Sequence, residues 1–190
     1  MGIASNSSEA PAFLGWILNE IPAIMDAGLG GYDYISAQNA VPIDIPGLPK
    51  NIAGMSGNFA MFDREQGALA AELSRLNDTI KERFGAAGGM MFIMELKTWD
   101  SFLDWFDINY DQGTAGASAV MKSRLLDAKV LTEDTEAIVD AIMSASEPNQ
   151  GLSMFALGGK AVNNAKPRGG SNSVNPGWRT AYVHASEYKT

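Results

Sequence analysis

Residues 90–97, MMFIMELK, are the stretch of the sequence from which the fold prediction starts. The run is apolar and follows a glycine-rich segment, so it predicts a β-strand. Side chains alternate between the two faces of a strand, which divides this run into two sets. The set expected to face helices is Met90, Phe92, Met94 and Leu96, and the set on the opposite face is Met91, Ile93, Glu95 and Lys97.

Strand and helix patterns continue on both sides of this stretch. Further strands are predicted at residues 32–35, 54–62, 117–126, 152–157 and 179–188. Helices are predicted at residues 11–27, after Asp63, after Thr98 or Asp100, and from Thr132. Pro22 is expected to kink or break the first helix, and Phe102, Trp105 and Phe106 are expected to be buried.

The turns between these elements are long and irregular. This favours an α+β fold, with a mostly antiparallel sheet and helices packed on one face. Residues 1–9 are small and polar and predict a flexible N-terminus, and residues 10–190 predict a single domain. A domain of this size can bury a hydrophobic core.

Composition excludes several classes of site. The net charge of −8 opposes binding to nucleic acid and to anionic membranes. The chain has no cysteine and one histidine, so disulfides, thiolate chemistry and a metal site of several imidazoles within one chain are excluded. No calcium-binding loop motif, signal peptide or run long enough to span a bilayer is present, and a cytoplasmic protein is expected.

Four segments together resemble a known family. They are residues 26–36 (DAGLGGYDYIS), residues 123–125 (SRL), Gly158-Gly159, and residues 174–179 (VNPGWR) with His184 five positions later. In order and spacing they resemble the substrate-binding domain of fungal FAD-linked oxidases. These are the berberine-bridge-enzyme-like group of the VAO/PCMH superfamily, and the resemblance covers residues 10–188. Gly177 stands where the family signature has alanine.

The sequence departs from this family in its flavin chemistry. No segment resembles the Arg/Lys-x-Gly-Gly-His motif of the flavin domain, the closing Asn-Tyr and Lys-Tyr-Asp-Pro motifs are absent, and no dinucleotide fingerprint follows a strand. No cofactor is therefore expected for this chain alone. In the family the sheet of this domain faces the flavin. Without a flavin domain that open sheet face is expected to be covered by a second copy of the chain, a missing subunit or a hydrophobic small molecule.

Three residues are candidates for catalysis on the open sheet face. Glu95 is a candidate general acid or base against an apolar wall, with a surface ion pair to Lys97 as the alternative. His184 is a candidate proton shuttle. The third candidate is Tyr182, which shares a predicted strand face with His184 and Thr180. A structural, hydrogen-bonded histidine is the alternative for His184.

Six residues are candidates for binding a substrate: Tyr32, Tyr34, Met91, Ile93, Arg124 and Trp178. The tyrosines can donate hydrogen bonds to a ligand carbonyl, and the methionine and isoleucine can form an apolar wall. Arg124 can bind a carboxylate or polarise a carbonyl. Packing is the alternative for each of the aromatic residues.

Two functions from different classes remain open. The first is a flavin-independent enzyme of secondary metabolism, a cyclase, pericyclase or isomerase that holds a reactive molecule in a folded shape. The second is a non-catalytic part of an FAD-linked oxidoreductase, or a dimeric ligand-binding protein. A homodimer through the open sheet face is the expected assembly, with no nucleic acid or membrane partner.

Overall fold

The computed structural model describes residues 2–5, 9–37, 53–61, 66–84, 90–93, 95–110, 112–113, 120–146, 151–166, 168–170 and 173–189. The strands are β1 (Gly2–Ser5), β2 (Gly30–Ser36), β3 (Ala53–Ala60), β4 (Met90–Ile93), β5 (Val120–Asp127), β6 (Gly151–Ala156) and β7 (Ala181–Lys189). The helices are α1 (Ala10–Asp26), α2 (Gln66–Phe84), α3 (Phe102–Asn109), α4 (Ala128–Glu133), α5 (Thr135–Ala145) and α6 (Lys160–Asn163). Short 3-10 turns lie at Arg168–Gly170 and Pro176–Arg179.

The seven strands form one sheet in the order β4-β1-β3-β2-β6-β7-β5. Every neighbouring pair is antiparallel. Strands from the first half of the chain occupy one side of the sheet, and strands from the second half occupy the other. The two halves meet at a single pairing of three residues, between β2 and β6. We call this pairing the seam.

One face of the sheet carries the hydrophobic core. Ile35 pairs with Met55 of β3 and with Met154 of β6, and all three side chains are almost fully buried. α1 covers this face, and eleven of its 17 residues are buried, so the helix is enclosed on most sides. The core therefore lies between the sheet and the helices, and the predicted α+β fold with helices packed against an antiparallel sheet is confirmed.

α1 continues through Pro22, where the sequence predicted a kink or break. A proline inside a helix removes one backbone hydrogen bond and costs about 3 kcal/mol. Here Pro22 is buried, and Ile21 and Ile24 beside it are fully buried. The packing of this helix against the sheet offsets the local preference of one residue.

The predicted burial of the α3 aromatic residues is wrong. Phe102 and Phe106 are 60% and 42% exposed, and no residue of α3 is buried. The rings pack along the helix instead, with centroids of Phe102 and Phe106 5.9 Å apart and those of Phe106 and Tyr110 5.3 Å apart. Such contacts at four-residue spacing stabilise a helix locally without any core behind it.

Two strands differ from their predictions. β4 ends at Ile93, so it is shorter than the predicted strand 90–97. Gly2–Ser5 form β1, which pairs with both β3 and β4, although no strand was predicted there. The helix predicted from Thr132 corresponds to α5, which begins at Thr135. Asp134 caps it, because its Oδ1 accepts from the Ala137 backbone N–H at 3.0 Å.

Candidate functional site

The candidate site lies on the open sheet face, opposite the helices. Residues that pair directly across antiparallel strands point to the same face. Tyr34 pairs with Phe155, Phe155 with His184, and His184 with Leu125. These four neighbours run across β2, β6, β7 and β5 on the face that does not carry Ile35 and Met154. This row therefore crosses the seam.

Three aromatic rings form a cluster on this face. The rings of Tyr32 and Phe155 are stacked with centroids 5.1 Å apart, and Tyr34 meets Phe155 edge-on at 5.7 Å. The Ser153 hydroxyl donates to the Tyr34 hydroxyl at 3.4 Å. Tyr32 is 65% exposed, so an apolar surface remains open to a ligand. We call Tyr32, Tyr34 and Phe155 the aromatic cluster.

A short turn forms a wall beside the cluster. In the turn Pro176–Arg179, Asn175 Oδ1 accepts from the Gly177 backbone N–H at 2.9 Å. A Cβ on Gly177 would lie 3.2 Å from Leu125 Cδ1, so this turn packs closely on the sheet. The Trp178 ring lies 5.1 Å from the His184 ring, at 59° to it. Part of the VNPGWR segment thus holds His184 from one side.

The open sheet face carries no charged side chain on the described residues of β2, β3 and β6, or on β7 as far as Ser186. The positions meant are those that share a face with Tyr34, Phe155 and His184. Besides glycine and alanine, the side chains on this face are Tyr32, Tyr34, Ser36, Ser56, Asn58, Ser153, Phe155, His184 and Ser186, whereas the Tyr182 side chain packs into the core beside α1. Ser36 and Ser186 are buried, so the exposed part of the face lies toward Tyr32 and Phe155. A charged ligand placed there would lose hydration without gaining a counter-ion. The face therefore suits an uncharged ligand.

Asp33 lies between the two tyrosines of β2 but on the core face. It is fully buried, and neither carboxyl oxygen has a hydrogen-bond partner among the described residues. A Cβ on Gly31 or on Gly57 would lie 2.7 Å from one of its oxygens. Burial raises the pKa of Asp33 from the ordinary value of 3.8 to about 7, because the charged form is poorly solvated there. Asp33 was not among the predicted site residues, although the Tyr-Asp-Tyr alternation places it on the opposite face from the tyrosines.

Tyr182 is buried and its hydroxyl is occupied. It donates to Asp26 at the end of α1, with distances of 2.9 and 3.0 Å to the two carboxyl oxygens. Burial, and then the hydrogen bond to Asp26, raise the pKa of Tyr182. Ala181 and Val183 on either side are also buried, so this end of β7 is covered on both faces. The hydroxyl thus ties β7 to α1.

Glu95 and Arg124 lie away from the aromatic cluster. Glu95 follows the end of β4, its side chain is 73% exposed, and its carboxylate lies 3.3 Å from the Lys97 Nζ. This is the surface ion pair named as the alternative. Arg124 pairs with Ala185, on the opposite face from His184, and its Nη1 donates to the Ser123 carbonyl at 3.1 Å. The structure describes the backbone of Met91 and Ile93, and their side chains lie outside the described atoms.

The structure thus brings Tyr32 and Tyr34 together, and it brings Trp178 onto His184. Phe155, Ser153 and Ser186 belong to the same face and were not predicted as site residues. For Phe155 a signal was present, because residues 152–157 were predicted as a strand and its alternation places Ser153 and Phe155 on one face. The strand that lies beside β6, and hence the ring that Phe155 contacts, is set by pairing between distant parts of the chain.

A second concave region lies among the helices. It is a cleft of about 720 Å³ between α1 and α5, and its lining includes Trp16, Asn19, Arg83 and Glu136. None of the residues predicted for catalysis or binding lines it. In the described residues no group of three His, Asp or Glu side chains could hold a metal ion. No described helix is long and apolar enough to cross a membrane.

Comparison with solved structures finds the same fold in a VAO-type flavoprotein, MtVAO713 from Myceliophthora thermophila C1, with a TM-score of 0.74. The two chains share 16% sequence identity, and the match covers 98% of this chain and 33% of that one. This chain therefore spans about a third of the flavoprotein, and its fold is consistent with one domain of that type. No protein-family model matches the sequence. No curated protein matches it significantly either.

Proposed function

We propose that this chain holds a flat, uncharged small molecule on the open sheet face and catalyses its cyclisation or isomerisation without a flavin. The observation that supports this proposal is the exposed aromatic cluster beside His184, on a face whose strand positions carry no charged side chain. The family resemblance of the sequence points to the same face as a substrate surface.

The aromatic cluster and its hydroxyls supply two kinds of interaction. A flat ligand stacked on the exposed ring of Tyr32 buries apolar surface, and this aromatic contact adds about 0.5–1.5 kcal/mol beyond area burial. The Tyr34 hydroxyl and His184 can hydrogen-bond to a ligand oxygen. A neutral hydrogen-bond donor at a developing oxyanion lowers the barrier most when water is excluded. Orientation of the reacting carbons supplies the remainder.

A pair of probes of equal size tests the ligand class. 2-Naphthol is flat and uncharged, and 2-naphthoate carries a carboxylate on the same ring system. We expect 2-naphthol to raise the melting temperature and to give a calorimetric binding signal, and 2-naphthoate to bind at least tenfold more weakly. Equal binding of the two probes, or of neither, would refute the proposed ligand class.

Matched variants test the location of this site. Tyr32→Ala removes a ring that is 65% exposed on the open sheet face, and Phe102→Ala removes a ring that is 60% exposed on α3. We expect Tyr32→Ala to lose 2-naphthol binding and Phe102→Ala to keep it. The opposite pattern would place the site elsewhere. Catalysis is then assayed with flat polyene or polyketide-like substrates, and rates equal to the uncatalysed rate for all of them contradict the enzymatic part of the proposal.

A second candidate function is one part of a flavoprotein completed by other residues or another chain. The coverage of one third of the VAO-type flavoprotein favours it. Light absorption separates the two candidates. Flavin bands in the purified protein, or oxidase activity restored by a flavin-binding partner, support the second candidate, and a colourless protein with ligand-dependent melting supports the first.

The expected homodimer through the open sheet face is tested by the same variant. If two copies cover each other's aromatic clusters, Tyr32→Ala lowers the dimer fraction in sedimentation equilibrium, and Phe102→Ala does not. Dimerisation that is unchanged by Tyr32→Ala would exclude this face as the interface.

A further inference from the structure

Ser186 lies behind the candidate site, two residues from His184 on β7. Its side chain is fully buried, and its Oγ lies 3.3 Å from Nε2 of His184. Among the described residues, this imidazole nitrogen is the hydrogen-bond partner of the Ser186 hydroxyl. A buried hydroxyl hydrogen that finds no acceptor destabilises the folded protein, so the identity of its partner matters.

The His184 ring is held on several sides. Trp178 contacts it at 5.1 Å between ring centroids, and Phe155 and Leu125 flank it on the neighbouring strands. Nε2 of the His184 ring is hydrogen-bonded to the buried Ser186. Nδ1 is therefore the ring nitrogen that a ligand could contact. The proton on a neutral imidazole is placed by the hydrogen bond that the other nitrogen makes.

We propose that Ser186 donates its hydroxyl hydrogen to Nε2 and so holds His184 in the Nδ1–H tautomer. This inference rests on the proposed function, because it names the atom that His184 presents to a ligand on the open sheet face. His184 then acts as a neutral N–H donor to a ligand carbonyl or developing oxyanion, and Ser186 is a positioning residue. The alternative arrangement, in which Nε2–H donates to Ser186, leaves the hydroxyl hydrogen without a described acceptor.

This role differs from the proton shuttle expected from the sequence. A histidine whose Nδ1 carries the proton cannot accept another proton at that nitrogen, so it stabilises charge on a ligand oxygen by hydrogen bonding. A neutral donor also matches a face without charged side chains.

The chain contains one histidine, so its ring can be observed without assignment. Long-range proton–nitrogen correlation spectra at alkaline pH distinguish the two tautomers directly. We expect the Nδ1–H form in the wild-type protein, and we expect Ser186→Ala to move the population toward the Nε2–H form that imidazole favours in water. Ser186→Cys keeps a weaker donor of similar size and is expected to restore part of the Nδ1–H population.

Ser153→Ala is the matched control, because Ser153 pairs directly with Ser186 across the strands and bonds to Tyr34. We expect it to leave the tautomer unchanged. An Nε2–H tautomer in the wild-type protein overturns the inference, and this result does not require Ser186→Ala to fold. If Ser186→Ala folds and its His184 tautomer is the same as in the wild type, the inference is also overturned.

The test also separates this inference from the proposed function. We expect Ser186→Ala to weaken the binding of 2-acetylnaphthalene, a flat ketone that can only accept a hydrogen bond, about tenfold, which corresponds to the loss of one oriented hydrogen bond. If the wild-type protein binds no 2-naphthol but shows the Nδ1–H tautomer, the proposed ligand class fails and the role of Ser186 stands. If it binds 2-naphthol with an Nε2–H ring, the proposed ligand class stands and the role of Ser186 fails.

Discussion

Replacing Asp33 with asparagine is expected to make the protein more stable at pH 8 than the wild type. Asp33 is fully buried without a hydrogen-bond partner in the described part of the chain, and its pKa is raised from 3.8 to about 7. The pKa of 3.8 applies to the unfolded chain and the pKa of about 7 to the folded protein. At a pH between these two pKa values, the folded protein keeps a proton on Asp33 that the unfolded chain releases. The stability that this carboxyl contributes is therefore complete below pH 3.8 and is lost as the pH rises to about 7.

The size of the effect follows from the same two values. A difference of one pH unit in pKa corresponds to 1.36 kcal/mol, so the interval from 3.8 to about 7 corresponds to about 4 kcal/mol. Asparagine has nearly the same shape and stays uncharged. We expect the difference in free energy of unfolding between Asp33→Asn and the wild type to rise by a few kcal/mol in favour of the variant from pH 4 to pH 8, and to level off above about pH 7.

Urea unfolding followed by tryptophan fluorescence at several pH values measures this difference. All other carboxyl groups are present in both proteins. Subtracting the two plots of free energy of unfolding against pH therefore isolates the contribution of Asp33. Asp78→Asn, at an exposed position of α2, reports the general effect of removing one carboxylate. A difference between Asp33→Asn and the wild type that stays constant from pH 4 to pH 8 would show that Asp33 is charged in the folded protein, and the reasoning from burial would be wrong.

Three further substitutions are expected to have measurable outcomes. Gly57→Ala should lower the free energy of unfolding by at least about 2 kcal/mol in urea titrations, because Gly57 has φ +154° and a Cβ there would overlap the carbonyl oxygen of Tyr32. Tyr182→Phe should cost about 0.5–1.5 kcal/mol in the same assay, because it removes the hydrogen bond between β7 and α1 while the exposed Asp26 carboxylate is left to water. Phe106→Ser should lower the free energy of unfolding by no more than about 1 kcal/mol in thermal unfolding, since the ring is 42% exposed and its loss removes two ring contacts along α3 worth about 0.2–0.5 kcal/mol each, and a loss of 3 kcal/mol or more would indicate that the ring is covered.

Much of the fold could be predicted because the spacing of apolar residues within a segment indicates whether it forms a helix or a strand. The apolar spacing of α1 and the alternation in β2 and β6 were sufficient to place these elements within a few residues. β1 could not be predicted, since four small residues form a strand only because β3 and β4 supply partners on both sides. The burial of α3 was predicted wrongly because helical spacing shows that an apolar face exists and not what covers it.

The candidate site was predicted only in part. Tyr32 and Tyr34 could be placed on one face from their own strand. Phe155 comes from a strand about 120 residues further along the chain, and only the pairing of β2 with β6 brings it close to the tyrosines. Ser186 lies two residues from His184 on the same strand, and its contact with the imidazole could not be read from strand alternation alone. Tyr182 was misjudged because alternation within β7 does not reveal that α1 ends beside it and accepts its hydrogen bond.

The seam between β2 and β6 has a consequence for how the site comes into being. Each side of the sheet is built from a continuous part of the chain, yet Tyr34 and Phe155 lie on opposite sides of the seam that joins the two halves in the described part of the sheet. Closing such long-range pairs is slow, because a large loop must be ordered before the contact forms. The aromatic cluster therefore forms only when the two halves of the sheet join, and a flat molecule bound across the seam, as proposed above, would contact both halves and stabilise their pairing.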